Sequence, residues 1–161
     1  LRSTAFYQSP LYPYLMAAIF WITGPSAGVI SYLQAVLGAM TCALLALWTA
    51  RSFDPRAGWA TGIFAALYPP LIFYCAPLMK ETLGLFLLSL FLFSTMNSRP
   101  IQAGVSLGLA ALTRTNLLLM APLAALRFWP RLRFKGLIYF VVATVLMIAP
   151  VSLHNWKQSG D

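Results

Sequence analysis

Five side chains carry most of the chemistry open to this sequence: Lys80, Glu81, Arg114, His154 and Lys157. Glu81 is the only acid between Asp54 and Asp161. In apolar surroundings such a carboxylate either pairs with a neighbour, Lys80 being adjacent, or serves a site by binding a metal or orienting a substrate. Arg114 stands inside the apolar run 101–126. A guanidinium there is costly unless it is paired, hydrated or bound to an anion. It can snorkel to head groups from a helix end, or clamp a phosphate through its planar fork. Thr113, Thr115 and Asn116 add hydrogen-bonding capacity around it. His154 and Lys157 follow the last apolar run beside Trp156. They either anchor the chain at an interface or bind lipid phosphate. The sequence has no P-loop, Rossmann glycine pattern, zinc spacing or serine-nucleophile elbow. No apolar run carries the row of acids that a proton relay needs. Cys42 and Cys75 lack metal spacing and read as ordinary buried thiols.

The elements that must position these groups are apolar. The chain has 161 residues, 60% hydrophobic and 9% charged, whereas a soluble domain carries about 25% charged residues. So few charges would not keep a chain this apolar in solution, so an integral membrane protein is expected. The net charge of +8 is spread between apolar stretches, which suits anionic lipids and topology control, and no nucleic-acid partner is expected. A span needs about 20 mostly apolar residues. Membrane segments are predicted over 27–50, 58–78, 82–96, 101–112, 116–126 and 136–153, the fourth and fifth being short. Residues 10–24, bracketed by Pro10, Pro13, Gly24 and Pro25, read as an interfacial helix. The predicted fold is all-α: a polytopic transmembrane helical bundle of about six membrane-crossing segments plus that one interfacial helix. Residues 1–161 form a single membrane module. It begins at Leu1 and ends directly after an apolar run, and so reads as part of a longer protein.

Basic residues in short loops favour the cytoplasm. Arg51 and Arg56, Arg99, and the cluster Arg127, Arg131, Arg133 and Lys135 mark three loops on that side. Alternation then places Lys80–Glu81, the Thr113–Asn116 tip, residues 154–161 and residues 1–25 on the other face. The tip would sit below the outer surface, held in protein or a wet cavity.

Four blocks, in order, resemble the membrane glycosyltransferases of the C-type fold, close to the protein O-mannosyltransferase and aminoarabinose-transferase group. They are Gln8-Ser9-Pro10-Leu11-Tyr12-Pro13-Tyr14; Tyr68-Pro69 through Phe73-Tyr74 with Glu81-Thr82-Leu83; Gly108-Leu109-Ala110-Ala111-Leu112-Thr113-Arg114; and Ala149-Pro150 to His154-Asn155-Trp156 with Ser159-Gly160-Asp161. The resemblance implies transfer of a sugar from a polyprenyl-phosphate donor to a glycan, lipid or protein acceptor. The transfer would occur on the extracytoplasmic face of a membrane, the bacterial inner membrane being expected. It implies Arg114, His154, Lys157 and Lys80 as lipid-phosphate or substrate contacts, with Glu81 binding a metal or orienting the substrate. A divalent cation is left open. The family's catalytic aspartate and first spanning helix have no counterpart here and are expected upstream of residue 1, so the 161 residues alone are expected to be inactive. Two positions depart from the family pattern: Gln8-Ser9 where many relatives carry a basic residue, and His154 where many carry arginine. The readings set against this one are a lipid-phosphate-binding transporter or flippase-like protein and a non-catalytic membrane subunit.

Overall fold

The computed structural model describes residues 11–75 and 79–159, without the side chains of residues 75, 129–133 and 158–159. The block Gln8-Ser9-Pro10, the end of the predicted 58–78 span, the Cys75, Arg131 and Arg133 side chains and the Gly160-Asp161 end lie outside the described residues. Among the described residues the secondary structure is helical, with no strand, as expected for an all-α chain.

Helix α1, Leu11–Thr23, ends where Gly24 takes the left-handed conformation (φ 77°). Its amide closes the last turn on the Phe20 carbonyl at 2.9 Å. Only glycine enters that region without a Cβ penalty. Helix α2, Ala27–Ser52, runs to Phe53. Asp54 then caps α3, Pro55–Leu67, by accepting from the Arg56 amide, with Pro55 in the first turn where its missing N–H is no loss. The α2–α3 hairpin is packed through small residues. A Cβ on Gly58 would strike Ala50 and come within 2.8 Å of the Ala46 carbonyl oxygen.

The single span predicted over 58–78 is not one helix. Tyr68 is extended (φ −72°, ψ 111°), because proline disfavours the helical conformation in the residue before it. Pro69 then starts the separate α4, Pro69–Cys75. Helix α5 covers Glu81–Met96, and α6 covers Pro100–Ala111 after a tight turn with Ser98 at φ 55°. The predicted segment 116–126 lies within the apolar helical stretch Thr115–Phe128. It opens as a 3₁₀ helix, Thr115–Met120, and α7 begins at Ala121 and runs to Ser159, enclosing the predicted 136–153 segment. The Phe128 and Phe140 rings nevertheless lie 5.7 Å apart. A straight helix would separate these residues by about 18 Å along its axis, so the chain folds back within α7. The stretch between them contains Pro130, a residue type that breaks helices.

The core is built where α5, α6 and both arms of α7 meet, from Phe91, Ala103, Leu107, Ala124, Phe128 and Phe140. A second cluster, Tyr12, Leu83, Leu87 and Ala110, ties α1 to α5 and α6. Among the described residues two helical stretches are long and apolar enough to cross a membrane: Ala27–Ser52 and Phe134–Lys157. Only 17% and 22% of their most apolar windows are buried, whereas the central helix of a soluble protein is covered on all sides. Trp21, Trp59, Phe64 and Leu126 stand exposed as well.

The helices alternate in direction, so the turns collect at two ends. At one end the Arg51 Nη1 donates to the Asn97 Oδ1 at 2.7 Å, joining the α2–α3 turn to the α5–α6 turn. Arg127 lines a cavity with Arg51 at that same end. Three of the predicted basic loops are thus brought together. At the other end lie the start of α5 and the turn after α6.

Candidate functional site

The site forms where α5 begins and α6 stops. The last turn of α6 closes through the Thr113 and Arg114 amides, which both donate to the Ala110 carbonyl at 2.9 Å. Thr113 is fully buried, and its hydroxyl donates to the same carbonyl at 2.6 Å. Opposite stands Gly84, where an added Cβ would lie 3.1 Å from the Thr113 hydroxyl oxygen. The absent side chain lets the turn after α6 close onto α5. Arg114 leaves this turn, and its Nη2 lies 3.4 Å from the Glu81 Oε1. Glu81, in the first turn of α5, is 23% exposed and Arg114 is 61% exposed. The long contact and open guanidinium describe a loose pair that keeps donors available, consistent with the small worth of exposed ion pairs. A carboxylate in a helix's first turn also meets the positive end of the helix dipole.

Between these groups is a cavity of about 220 Å³ lined by Tyr74, Lys80, Glu81, Gly84, Leu85, Leu88, Thr113, Arg114 and Leu117. Two cations and one acid face an otherwise apolar wall. The two cations offer directed donors to an anion, and Glu81 is the one acid among the described residues that line the cavity. Among the described residues there is no cluster of three or more His, Cys, Asp or Glu side chains.

The surrounding backbone is held by side chains. The Thr82 hydroxyl donates to the Tyr74 carbonyl at 2.7 Å. The buried Gln34 Nε2 reaches from α2 to the Met79 carbonyl at 2.7 Å and to the Tyr12 hydroxyl at 3.2 Å. Gln34 Oε1 is buried without a partner. Burial, and after it the Glu81 carboxylate, raises the Tyr12 phenol above its ordinary value, against the lowering effect of the Gln34 bond.

The predicted residues are distributed as follows. Lys80, Glu81 and Arg114 share the cavity, and Glu81 faces Arg114 across it. His154 and Lys157 do not line the cavity; both are exposed near the end of α7. They are nonetheless at the same end of the bundle. Gly104 packs against Ala143 and Gly108 against Met147. Continuing that parallel register puts Arg114 level with Leu153, beside His154. Gln34, Gly84 and Thr82 were not singled out as site residues by the sequence. A lone amide in the apolar 27–50 run was the available signal for Gln34, whereas Gly84 gave none without knowledge of what it touches.

No family model, curated protein or solved structure matches this chain.

Proposed function

We propose that this chain is part of an integral-membrane glycosyltransferase that moves a sugar from a polyprenyl-phosphate donor to an extracytoplasmic acceptor. The observation that carries the reading is the cavity holding Lys80, Glu81 and Arg114 at one end of an apolar bundle whose other end gathers Arg51 and Arg127, with Arg99 in the adjoining α5–α6 turn. The basic end faces the cytoplasm and the cavity opens on the far side of the membrane, in a topology of about six crossing segments with α1 lying at the interface.

In the reaction, an acceptor hydroxyl attacks the anomeric carbon, the bond from that carbon to the phosphate oxygen breaks, and polyprenyl phosphate leaves. Charge develops on the departing phosphate. Arg114 and Lys80 are placed to meet it, with the arginine fork contributing two directed donors. Glu81 holds the guanidinium in line and can accept a hydrogen bond from a sugar hydroxyl. The acceptor's proton goes to a carboxylate, an aspartate of the first external loop in the family the sequence resembles. Asp54 cannot serve, since it caps α3 at the opposite end.

The test is sugar transfer from a labelled polyprenyl-phosphate sugar by the full-length protein in proteoliposomes. Arg114→Ala is expected to lower the rate by about 100-fold or more, the usual loss when one donor to a developing oxyanion is removed. Glu81→Ala should cost less but remain measurable. Unchanged rates in both variants would defeat the assignment. Retained lipid-phosphate binding without any transfer in the unaltered protein would favour a transporter.

A further inference from the structure

We infer that the basic end of the bundle carries a second, separate site for an anionic phospholipid, in the cavity between α2, α5 and the first arm of α7. This cavity, about 450 Å³, is lined by Trp48, Arg51, Ser52, Phe91, Leu92, Thr95, Met96, Leu123 and Arg127. Its composition is that of an amphiphile. Arg51 and Arg127 supply two positive charges, the Thr95 and Ser52 hydroxyls donate to the Phe91 carbonyl and to Met96 Sδ, and the remaining wall is aromatic or aliphatic. No lining residue is acidic. The nearby Asp54 is engaged at the α3 cap.

Arg51 is held in place. Its guanidinium lies 5.0 Å from the centre of the Phe93 ring, and its Nη1 donates to the Asn97 Oδ1. A guanidinium oriented by one ring and one amide retains further donors for a phosphodiester. Arg127 is half-buried in the same wall, where charge without an anion is costly. Basic pockets between helices at a membrane surface suit phospholipid head groups. Here the head-group phosphate sits between Arg51 and Arg127, and an acyl chain lies along Trp48, Leu92 and Leu123, over the closed core that holds Phe91. The proposal rests on the chain crossing a bilayer but not on sugar transfer. Its ligand is at the opposite end from the Glu81–Arg114 cavity.

The probe is dibromo-phosphatidylglycerol, with dibromo-phosphatidylcholine as the uncharged comparison. The full-length protein is reconstituted in vesicles, and quenching of tryptophan fluorescence is read against a Trp48→Phe variant. Preferential quenching of Trp48 by the anionic lipid is expected. Arg51→Gln and Arg127→Gln should each weaken that preference about five-fold, and the pair about 25-fold, the weight of one basic group each at an anionic surface. Arg99→Gln, outside the cavity, should leave it unchanged. Leu123→Trp, made in a Trp48→Phe background and read by bound-lipid mass spectrometry, fills the cavity without altering charge. It should also displace the lipid, which keeps the test decisive if the glutamine pair fails to fold. Equal effects of Arg99→Gln and the cavity variants would overturn the proposal in favour of diffuse surface charge. Displacement of the lipid by millimolar inorganic phosphate would overturn it in favour of a soluble ligand. Sugar-transfer rates decide neither outcome.

Discussion

Replacing Gly104 with alanine probes the packing that brings the two polar ends of α6 and α7 level. A Cβ there would strike the Phe140 carbonyl oxygen, with Ala143 Cβ at 2.7 Å and the Thr144 nitrogen at 3.2 Å. None of these is the far end of a flexible side chain, so the helices must separate. Separation also stretches the bond from the Thr144 hydroxyl to the Gly104 carbonyl, already 3.3 Å. Overpacking costs about 1–3 kcal/mol, and a backbone neighbour places this site near the upper figure. Alanine's better helix propensity returns about 1 kcal/mol. The net loss is about 2 kcal/mol, or about 30-fold in the ratio of folded to unfolded protein. The assay is titration of the detergent-solubilised protein with dodecyl sulfate, followed by circular dichroism. Gly28→Ala is the internal control, because the nearest atom to its added Cβ is the Ser26 hydroxyl at 3.8 Å. It retains only the propensity gain, up to about 1 kcal/mol. If Gly104→Ala is stabilised alongside Gly28→Ala, the tight α6–α7 contact is wrong, and with it the register that levels Arg114 with His154.

Gly84→Ala should push the Thr113–Arg114 turn off α5 and lower sugar transfer about tenfold, since small misplacements of a positioning group are expensive; adding Thr113→Ala, which removes the clashing oxygen, should restore part of the rate, and no loss in the single variant would refute the positioning role. Gln34→Leu should strip the Met79 carbonyl of its donor at a cost of about 1–3 kcal/mol, visible as faster hydrogen exchange around Lys80–Glu81; protection equal to the unaltered protein would contradict it. Glu81→Gln should lower the pH at which Tyr12 ionises, because the carboxylate disfavours the phenolate, whereas Gln34→Leu should raise it. Ultraviolet difference titration against a Tyr12→Phe variant reads both signs, and an upward shift in Glu81→Gln would count against the contact.

Much of the helical layout was legible because it depends on local residues. Asp54-Pro55 is a helix-start signal wherever it occurs, and the boundary of α3 follows it. Asn97 to Pro100 ends one apolar run and opens the next, and α5 and α6 meet there. The error over 58–78 has an equally local cause. Apolarity continues through Tyr68-Pro69-Pro70 but helical hydrogen bonding does not, because the prolines supply no amides. The 3₁₀ stretch Thr115–Met120 was not legible. Its six residues include three leucines and a methionine, which favour α-helix, so its tighter winding is set by the tertiary demand of reversing direction after Arg114.

The candidate site was legible in its members but not in its pairings. Adjacency made Lys80 the obvious partner for Glu81. Consecutive helical residues, however, do not face one another, so chain neighbours at a helix start are poor partners even when their charges match. Arg114 lies 33 residues from Glu81. What unites them is a pair of features with no charge at all. Gly84 leaves room, and Thr113 fills it while bonding back to α6. Read alone, Gly84 is a helix-weakening residue in an apolar run, and Thr113 is a polar residue beside an arginine. Only the contact between them explains why α5 carries a glycine one turn below its single acid. The ion pair is therefore a consequence of packing: the turn that Gly84 and Thr113 seat against α5 brings the arginine to Glu81 while leaving most of its guanidinium open.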